Sequence, residues 1–328
     1  MTTHTENSKL KTDILINKGD FVRYFLEDIN YQVNNHTKSF INFCEAQYNE
    51  QVTKVAKSIC DNAKEAPIVL LSGPSGSGKT TTAMRLEQLL DSFGFEAHTI
   101  SLDNYFSELS EQQQQLAKEG KIDLESPDRL DRDFLNTQIG CMLKGETVSI
   151  PKYNFENCKR EYSGLTLTRK ENDIIIFEGT HALNPDVITI DDENCARLYV
   201  SIRSHYLDHD SEVRSKTIRL ARRMLRDTKT RGRDPIETIQ LFDSVNEGEE
   251  KFIKPFMHRC NYSIDTLVPY EICVYRSLLL DSIENLPQTD DIKALTKLLL
   301  HSASLDDTII PSDSLVREFI GGSSLKYL

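Results

Sequence analysis

A doubly wound α/β fold on a parallel sheet is what this 328-residue sequence predicts, on three observations. Short, partly β-branched apolar runs recur at 67–72 (PIVLLS), 98–103 (HTISLD), 173–179 (DIIIFEG) and 196–202 (ARLYVSI), as in strands buried on both faces. Segments with apolar residues at three- and four-residue spacing alternate with them, the pattern of crossover helices. A glycine-rich turn, Gly73-Pro74-Ser75-Gly76-Ser77-Gly78-Lys79-Thr80, joins the first of these strands to a helical stretch, TTAMRLEQLLDSFG.

That turn matches GxxxxGK[ST] in the strand–turn–helix setting the pattern requires, which makes it a P-loop. Its glycines let backbone N–H groups turn inward around phosphate oxygens, and the helix N-terminus adds partial positive charge. The nucleotide-binding set is therefore Gly73, Pro74, Ser75, Gly76, Ser77, Gly78, Lys79, Thr80 and Thr81. With ATP bound, Lys79 reaches the β- and γ-phosphates and the Thr80 hydroxyl helps hold Mg²⁺. A P-loop alone does not separate kinase from GTPase or ATPase. Asn17-Lys18-Gly19-Asp20 has the letters of a GTPase base-reading motif, but it precedes the P-loop, and chain order excludes it.

The remaining elements follow in chain order. Residues 1–20 read as loosely attached and 21–63 as helical. Residues 104–170 are irregular: a polar helix (EQQQQLAKEG), a loop (DLESPDRLD) and a hairpin (ETVSIPKYNF…EYSGLTLTR) with a Ser-Gly turn signal in its second arm. A basic helix over 211–227, a loop RGRDP, a helix over 235–257, a last strand in YSIDTLVP and a helical layer over 271–302 complete the order. The chain divides into an N-terminal helical extension (1–64), a P-loop domain (65–303) and a C-terminal tail (304–328).

Composition narrows the function. A net charge of −12 repels phosphate backbones and argues against nucleic acid as a partner. The 7 cysteines include no CxxC pair, so neither a zinc site nor a disulfide framework is expected. No apolar run reaches the roughly 18 residues of a membrane helix, and the polar N-terminus lacks a signal peptide's apolar core. A cytoplasmic chain acting on a small molecule is the expectation.

Ligands of open α/β sheets bind at the carboxyl ends of the strands, where Asp103 and Glu178 fall. Asp103 is the candidate base for an acceptor hydroxyl, and Glu178 the candidate on the metal side. A strand-end carboxylate also caps a following helix, and for either residue alone that reading stands open. Arg222, Arg223, Arg226, Arg231 and Arg233 suit a phosphate clamp, with Gly232 as the hinge of a lid. Arg222 and Lys229 read as the solvated face of that helix.

GPSGSGKTT, SLDNYF, ESPDRLD, IPKYNF, IIIFEG and RRMLRDTKTRGRD, in this order over roughly 65–270, resemble the uridine kinase and phosphoribulokinase family, and within it the uridine–cytidine kinases. EGTHALNP, EGEEKFIKPF and REFIGGSS look like a bacterial subgroup. Many members of that subgroup carry a tRNA-synthetase-like N-terminal region, where this chain has a short helical lead-in. The resemblance implies phosphoryl transfer from ATP to a nucleoside 5′-hydroxyl, and family members are often homo-oligomers. It implies Asp103 as the catalytic aspartate, with Lys79, Arg226 and Arg231 acting on the phosphates, and Thr80 and Glu178 at the magnesium. On the acceptor side it implies Tyr105, Glu125, Tyr153, Phe155, Cys158, Arg223 and Arg233.

Three positions depart from the family pattern. Glu125 stands for a ribose-gripping aspartate, Cys158 for a base-reading histidine, and Leu241, beside Gln240, for a glutamine. A pyrimidine site loses discrimination without those groups. Lys159, Arg160 or His181 are the replacements at hand, and His181 reads equally well as a structural turn residue. A nucleoside kinase of altered base choice, a kinase for another small alcohol, and a nucleotide-binding regulator without turnover all remain open at this stage.

Overall fold

The structure is a computed structural model and describes residues 16–17, 22–118, 123, 125–155, 157–230 and 232–325. The chain begins with β1 (Ile16–Asn17), β2 (Val22–Phe25), α1 (Leu26–Asp61), β3 (Ile68–Ser72), α2 (Lys79–Ser92) and β4 (Glu96–Ser101). It continues with α3 (Glu111–Lys118), α4 (Arg132–Leu143), β5 (Thr147–Asn154), β6 (Lys159–Thr168), β7 (Asp173–Glu178) and β8 (Cys195–Ser201). Then come β9 (His205–Asp208), β10 (Ser211–Val213), α5 (Ser215–Thr230), α6 (Pro235–Phe252) and β11 (Tyr262–Asp265). The last elements are α7 (Glu271–Ile283), α8 (Asp290–His301) and α9 (Arg317–Ile320).

β11-β8-β3-β7-β4 is the order of the central five-stranded sheet, and every pair in it is parallel. The doubly wound α/β fold is thus present. β3 shows why its sequence is a run rather than an alternation. Val69 and Leu71 enter one core, and Ile68 and Leu70 enter the core on the opposite face, so period two is hidden when both faces are dry. β3 lies between β7 and β8, which places the turn after it at the point where the chain reverses direction across the sheet.

Several elements differ from the expectation. Residues 22–25 are a strand, not the start of a helix, and β1-β2-β9-β10 form a separate four-stranded sheet. The spacing of Val22 and Tyr24 fits a strand as well as a helix, and pairing with β9 decides it. α1 is kinked at His36 (φ −139°). Asn35 and Thr37 hydrogen-bond back to the carbonyls of Tyr31 and Val33, the local competition that makes such residues poor helix formers. In the β5–β6 hairpin the Ser-Gly pair is not the turn: Gly164 (φ +80°) lies inside β6, and the last pair before the reversal is Asn154 with Lys159. The helix expected over 235–257 stops at Phe252 and passes into a 3-10 turn, and the layer over 271–302 is two helices.

Among the described residues, no helix is long and apolar enough to cross a membrane. All 7 cysteines are free.

Candidate active site

The turn between β3 and α2 holds its carbonyls outward, and that turns its amides inward. Arg219 donates to the Ser75 carbonyl at 3.3 Å and Arg222 to the Gly76 carbonyl at 3.1 Å. The Thr266 hydroxyl donates to the Ser77 carbonyl at 2.6 Å, the Thr82 hydroxyl to that of Gly78 at 2.7 Å, and Lys79 to that of Pro74 at 3.2 Å. With its acceptors occupied by the protein, the loop presents N–H groups to the cleft, the nest that holds phosphate oxygens. Gly73 has no alternative: a Cβ there would lie 2.0 Å from the Val200 carbonyl oxygen of β8. Gly78, the residue before α2, sits at φ +85°, where side chains are strained. Lys79 is part-buried. Burial holds its ammonium below the ordinary value, while Glu178, Glu318 and Asp103 pull it back up.

Arg222 corrects the solvated-face reading. It is fully buried, donates to both oxygens of the equally buried Glu271 at 2.8 and 2.9 Å, and reaches the Thr266 carbonyl at 2.6 Å. It also lies 4.7 Å over the Phe319 ring. Lys229, read with it, is exposed as expected and donates to the Ile320 carbonyl. Arg222 is a strut beneath the P-loop, and its partner lies 49 residues away in the sequence, where no local pattern shows it. Truncating one member of a buried pair strands the other charge. Glu271→Ala is expected to cost about 3–5 kcal/mol of stability in urea unfolding; a loss below about 1 kcal/mol would mean the pair is not buried as described.

The other arginines gather on Asp227, which is fully buried. Arg226 donates to it at 2.7 and 2.9 Å, Arg233 lies at 3.6 Å and Arg223 at 4.0 Å. Three guanidinium groups share one carboxylate, so the cluster keeps an excess of positive charge. Arg223 also donates to the Ser75 hydroxyl of the P-loop. Arg231 lies outside the described residues.

Asp103 does not end a strand. β4 stops at Ser101, and Asp103 stands in the 3-10 turn Leu102–Tyr105, where its own amide donates to the Ser101 hydroxyl. Glu178 is the last residue of β7, in register with Leu71 of β3 and Ser101 of β4, so the sheet sets it beside the P-loop strand. Burial pushes its carboxyl up to about 7, with Lys79 lowering and Asp103 raising it, and the Ser101 hydroxyl bonds to it. A carboxyl raised in the folded state binds its proton more tightly there than in the unfolded chain. Its contribution is therefore most favourable below the ordinary carboxyl pKa and declines as pH rises through about 7. Glu178→Gln is expected to flatten the fall in melting temperature across that window, and an unchanged slope would refute the assignment.

Glu125 faces the same cleft. Burial raises its pKa, Arg223 lowers it, Asp103 raises it and Lys79 lowers it, so these charged groups lie within electrostatic reach of Glu125. Two residues hold its segment. His181 sits 3.0 Å from the Glu125 carbonyl and is buried, with its pKa pushed down to about 4 by that burial, so the ring is neutral and Nε2–H donates. His181 therefore acts in positioning, the structural alternative of the two open readings. Gly248 of α6 leaves room for the Glu125 side chain: a Cβ there would lie 2.7 Å from the Glu125 Cβ. That gives EGEEKF a physical reason which the sequence did not offer.

An aromatic group lies on the hairpin side. Tyr153 and Phe155 are 5.1 Å apart edge to face, and each meets Phe106, at 5.6 and 6.1 Å. Arg129 lies 5.6 Å over Phe106 and 3.4 Å from the Tyr153 hydroxyl. Phe155 is 63% exposed, a ring face open to a ligand. Cys158 closes the hairpin at φ +56° and hydrogen-bonds with Tyr153. Phe106 was missed beside these residues, although it lies in the quoted SLDNYF motif.

Tyr105 is corrected: it is fully buried among Phe134 and Phe177, and its hydroxyl is spent on Gln138 at 2.7 Å, so it is core. Arg160, weighed as a base contact, donates to Asp131 at 3.0 Å and lies 4.7 Å over Phe134, a scaffold role. Gln240 and Leu241 are both exposed on α6.

Among curated proteins, the chain is 29% identical to a uridine kinase of Halobacterium salinarum, over 56% of this chain and 73% of that one. It is 30% identical to a uridine kinase of Staphylococcus aureus, over 58% of this chain and 84% of that one. With a uridine kinase of Schizosaccharomyces pombe the identity is 32%, but the match spans only 39% of that longer protein. The Phosphoribulokinase / Uridine kinase family itself matches residues 68–272, from the strand that feeds the P-loop to the start of α7, where Glu271 pairs with Arg222. More than half of the chain thus follows that pattern, and the chain belongs to the Phosphoribulokinase / Uridine kinase family of small-molecule kinases.

Proposed function

We propose that this protein transfers the γ-phosphoryl group of ATP to the 5′-hydroxyl of a nucleoside. The observation that carries the reading is the shared cleft of Lys79, Asp103, Glu125, Glu178 and Arg223, in which Lys79, Glu125 and Glu178 each have their ionisation altered by one or more of the others. A regulator without turnover has no use for two carboxylates facing a phosphate cradle.

The residues fit a triphosphate. The loop carbonyls are taken up by Arg219 and Arg222, which leaves the amides to face a ligand, and Lys79, Arg226 and Arg233 supply positive charge around it. They also fit magnesium, since the Thr80 hydroxyl and the Glu178 carboxylate are the hard oxygen donors it prefers. When bound there, the ion neutralises charge on the transferring phosphate. Lys79 holds the γ-phosphate oxygens, and the Asp227-gathered arginines answer the charge that develops on them. Asp103 takes the proton of the acceptor hydroxyl through its carboxylate. Glu125 grips the ribose hydroxyls, and Phe106, Tyr153 and Phe155 stack on the base.

Acceptor choice is tested by ADP release across a panel of nucleosides and small alcohols. The proposal expects turnover with at least one nucleoside. Cys158 in the base pocket, a weak donor and acceptor, favours a second reading in which base choice is relaxed or the acceptor is another small alcohol. Turnover with a non-nucleoside alone selects that reading, and no acceptor-dependent ADP at all would favour a regulator.

A further inference from the structure

The first amides of a helix have no partner within it, and in a P-loop helix they belong to the phosphate cradle. Thr82 already closes onto Gly78 at 3.1 Å, so Thr81 is the last of the open donors at the start of α2. Its N–H is not open. It donates to Oε2 of Glu318 at 3.0 Å, a carboxylate from the C-terminal segment, 237 residues away in the sequence.

The segment that brings Glu318 there is part of the fold. Leu315, Val316 and Phe319 are fully buried. Arg85 of α2 holds the Asp313 carbonyl and carboxylate at 2.7 and 2.9 Å, and Lys229 of α5 holds the Ile320 carbonyl. Ser314 bonds to the buried Glu45 of α1 at 2.6 Å. Leu315 lies so close to the P-loop that a Cβ on Gly78 would meet it at 2.9 Å. The backbone is anchored from α1, α2 and α5, whereas the Glu318 side chain is only part-buried, and its charge is felt by both Lys79 and Glu178.

We propose that Glu318 is a resident counter-charge of the nucleotide site: it occupies a phosphate-binding amide when the site is empty and competes with the nucleotide's phosphates for it. The inference rests on the kinase reading of the cleft and deepens it by naming a residue that sets nucleotide affinity. Binding requires the carboxylate to leave Thr81 while the backbone of 313–321 stays in place. The competition costs affinity, because an anion at a helix N-terminus is stabilised there and must be removed. It also shields Lys79 and the arginines from adventitious anions.

The test is direct binding of ATP, ADP and inorganic phosphate by calorimetry, without an acceptor, to the full chain and to Glu318→Gln and Glu318→Ala. Glutamine keeps the size and an acceptor for Thr81 but loses the charge. Both variants are expected to bind ATP and ADP roughly 3- to 30-fold tighter, with the gain shrinking at high salt. A melting temperature near that of the unsubstituted chain verifies folding. Unchanged affinity in both variants would make Glu318 a helix cap only, and weaker binding would make it a nucleotide contact; either overturns the proposal. If the unsubstituted chain binds no ATP, it is the kinase reading that fails, so the two failures are distinguishable.

Discussion

Lys79→Ala is expected to lower kcat by at least roughly 10²–10³-fold, the usual loss when a preorganised group facing transition-state charge is removed. The substitution is clean because the Lys79 side chain does little for the fold. Its ammonium donates to the Pro74 carbonyl at 3.2 Å, and the loop keeps its shape through Arg219, Arg222, Thr266 and Thr82. The melting temperature is therefore expected to stay nearly unchanged while turnover disappears. Burial lowers the lysine's pKa, yet three carboxylates, Glu178, Glu318 and Asp103, oppose that shift. Losing the ammonium leaves them uncompensated, so ATP binding is expected to weaken as well. Near-normal turnover measured by ADP release, in a variant shown to be folded, would remove the P-loop from the mechanism.

What was legible in the sequence is what is local. The P-loop is a continuous stretch whose spacing states its geometry, and the apolar runs of β3, β7 and β8 follow from burial on both faces. That Tyr153 and Phe155 lie together on the hairpin was legible because IPKYNF is contiguous. What was not legible depends on partners far along the chain. Arg222 is a charged residue on a helix, and only Glu271, 49 positions on, turns it from a surface group into a buried strut. Tyr105 looks like a pocket residue until Gln138 takes its hydroxyl. The small sheet escaped notice because β2, β9 and β10 are three or four residues each, too short for period two to stand out. Glu318 carries no motif that links it to the P-loop; folding alone brings the chain's end onto α2.

Asp103→Asn separates the roles of Asp103 and Glu178. Asparagine has the size of aspartate but cannot take a proton from an acceptor hydroxyl, so kcat is expected to fall by roughly 10²–10⁴-fold. The turn that carries residue 103 is held by the Ser101 hydroxyl on its amide and by buried Leu102 and Tyr105 on either side, none of which needs the carboxylate. The KM for ATP is therefore expected to change little, and isothermal binding of ATP should match the unsubstituted protein. Glu178→Gln is expected to behave in the opposite way, with a raised magnesium requirement, because Glu178, in register with Leu71 of the strand that feeds the P-loop, is the proposed partner of Thr80 at the ion. If Asp103→Asn loses ATP binding while the remaining kcat is near normal, Asp103 is a metal ligand. The proton acceptor would then have to be sought at Glu125, the other carboxyl that feels both Lys79 and Arg223.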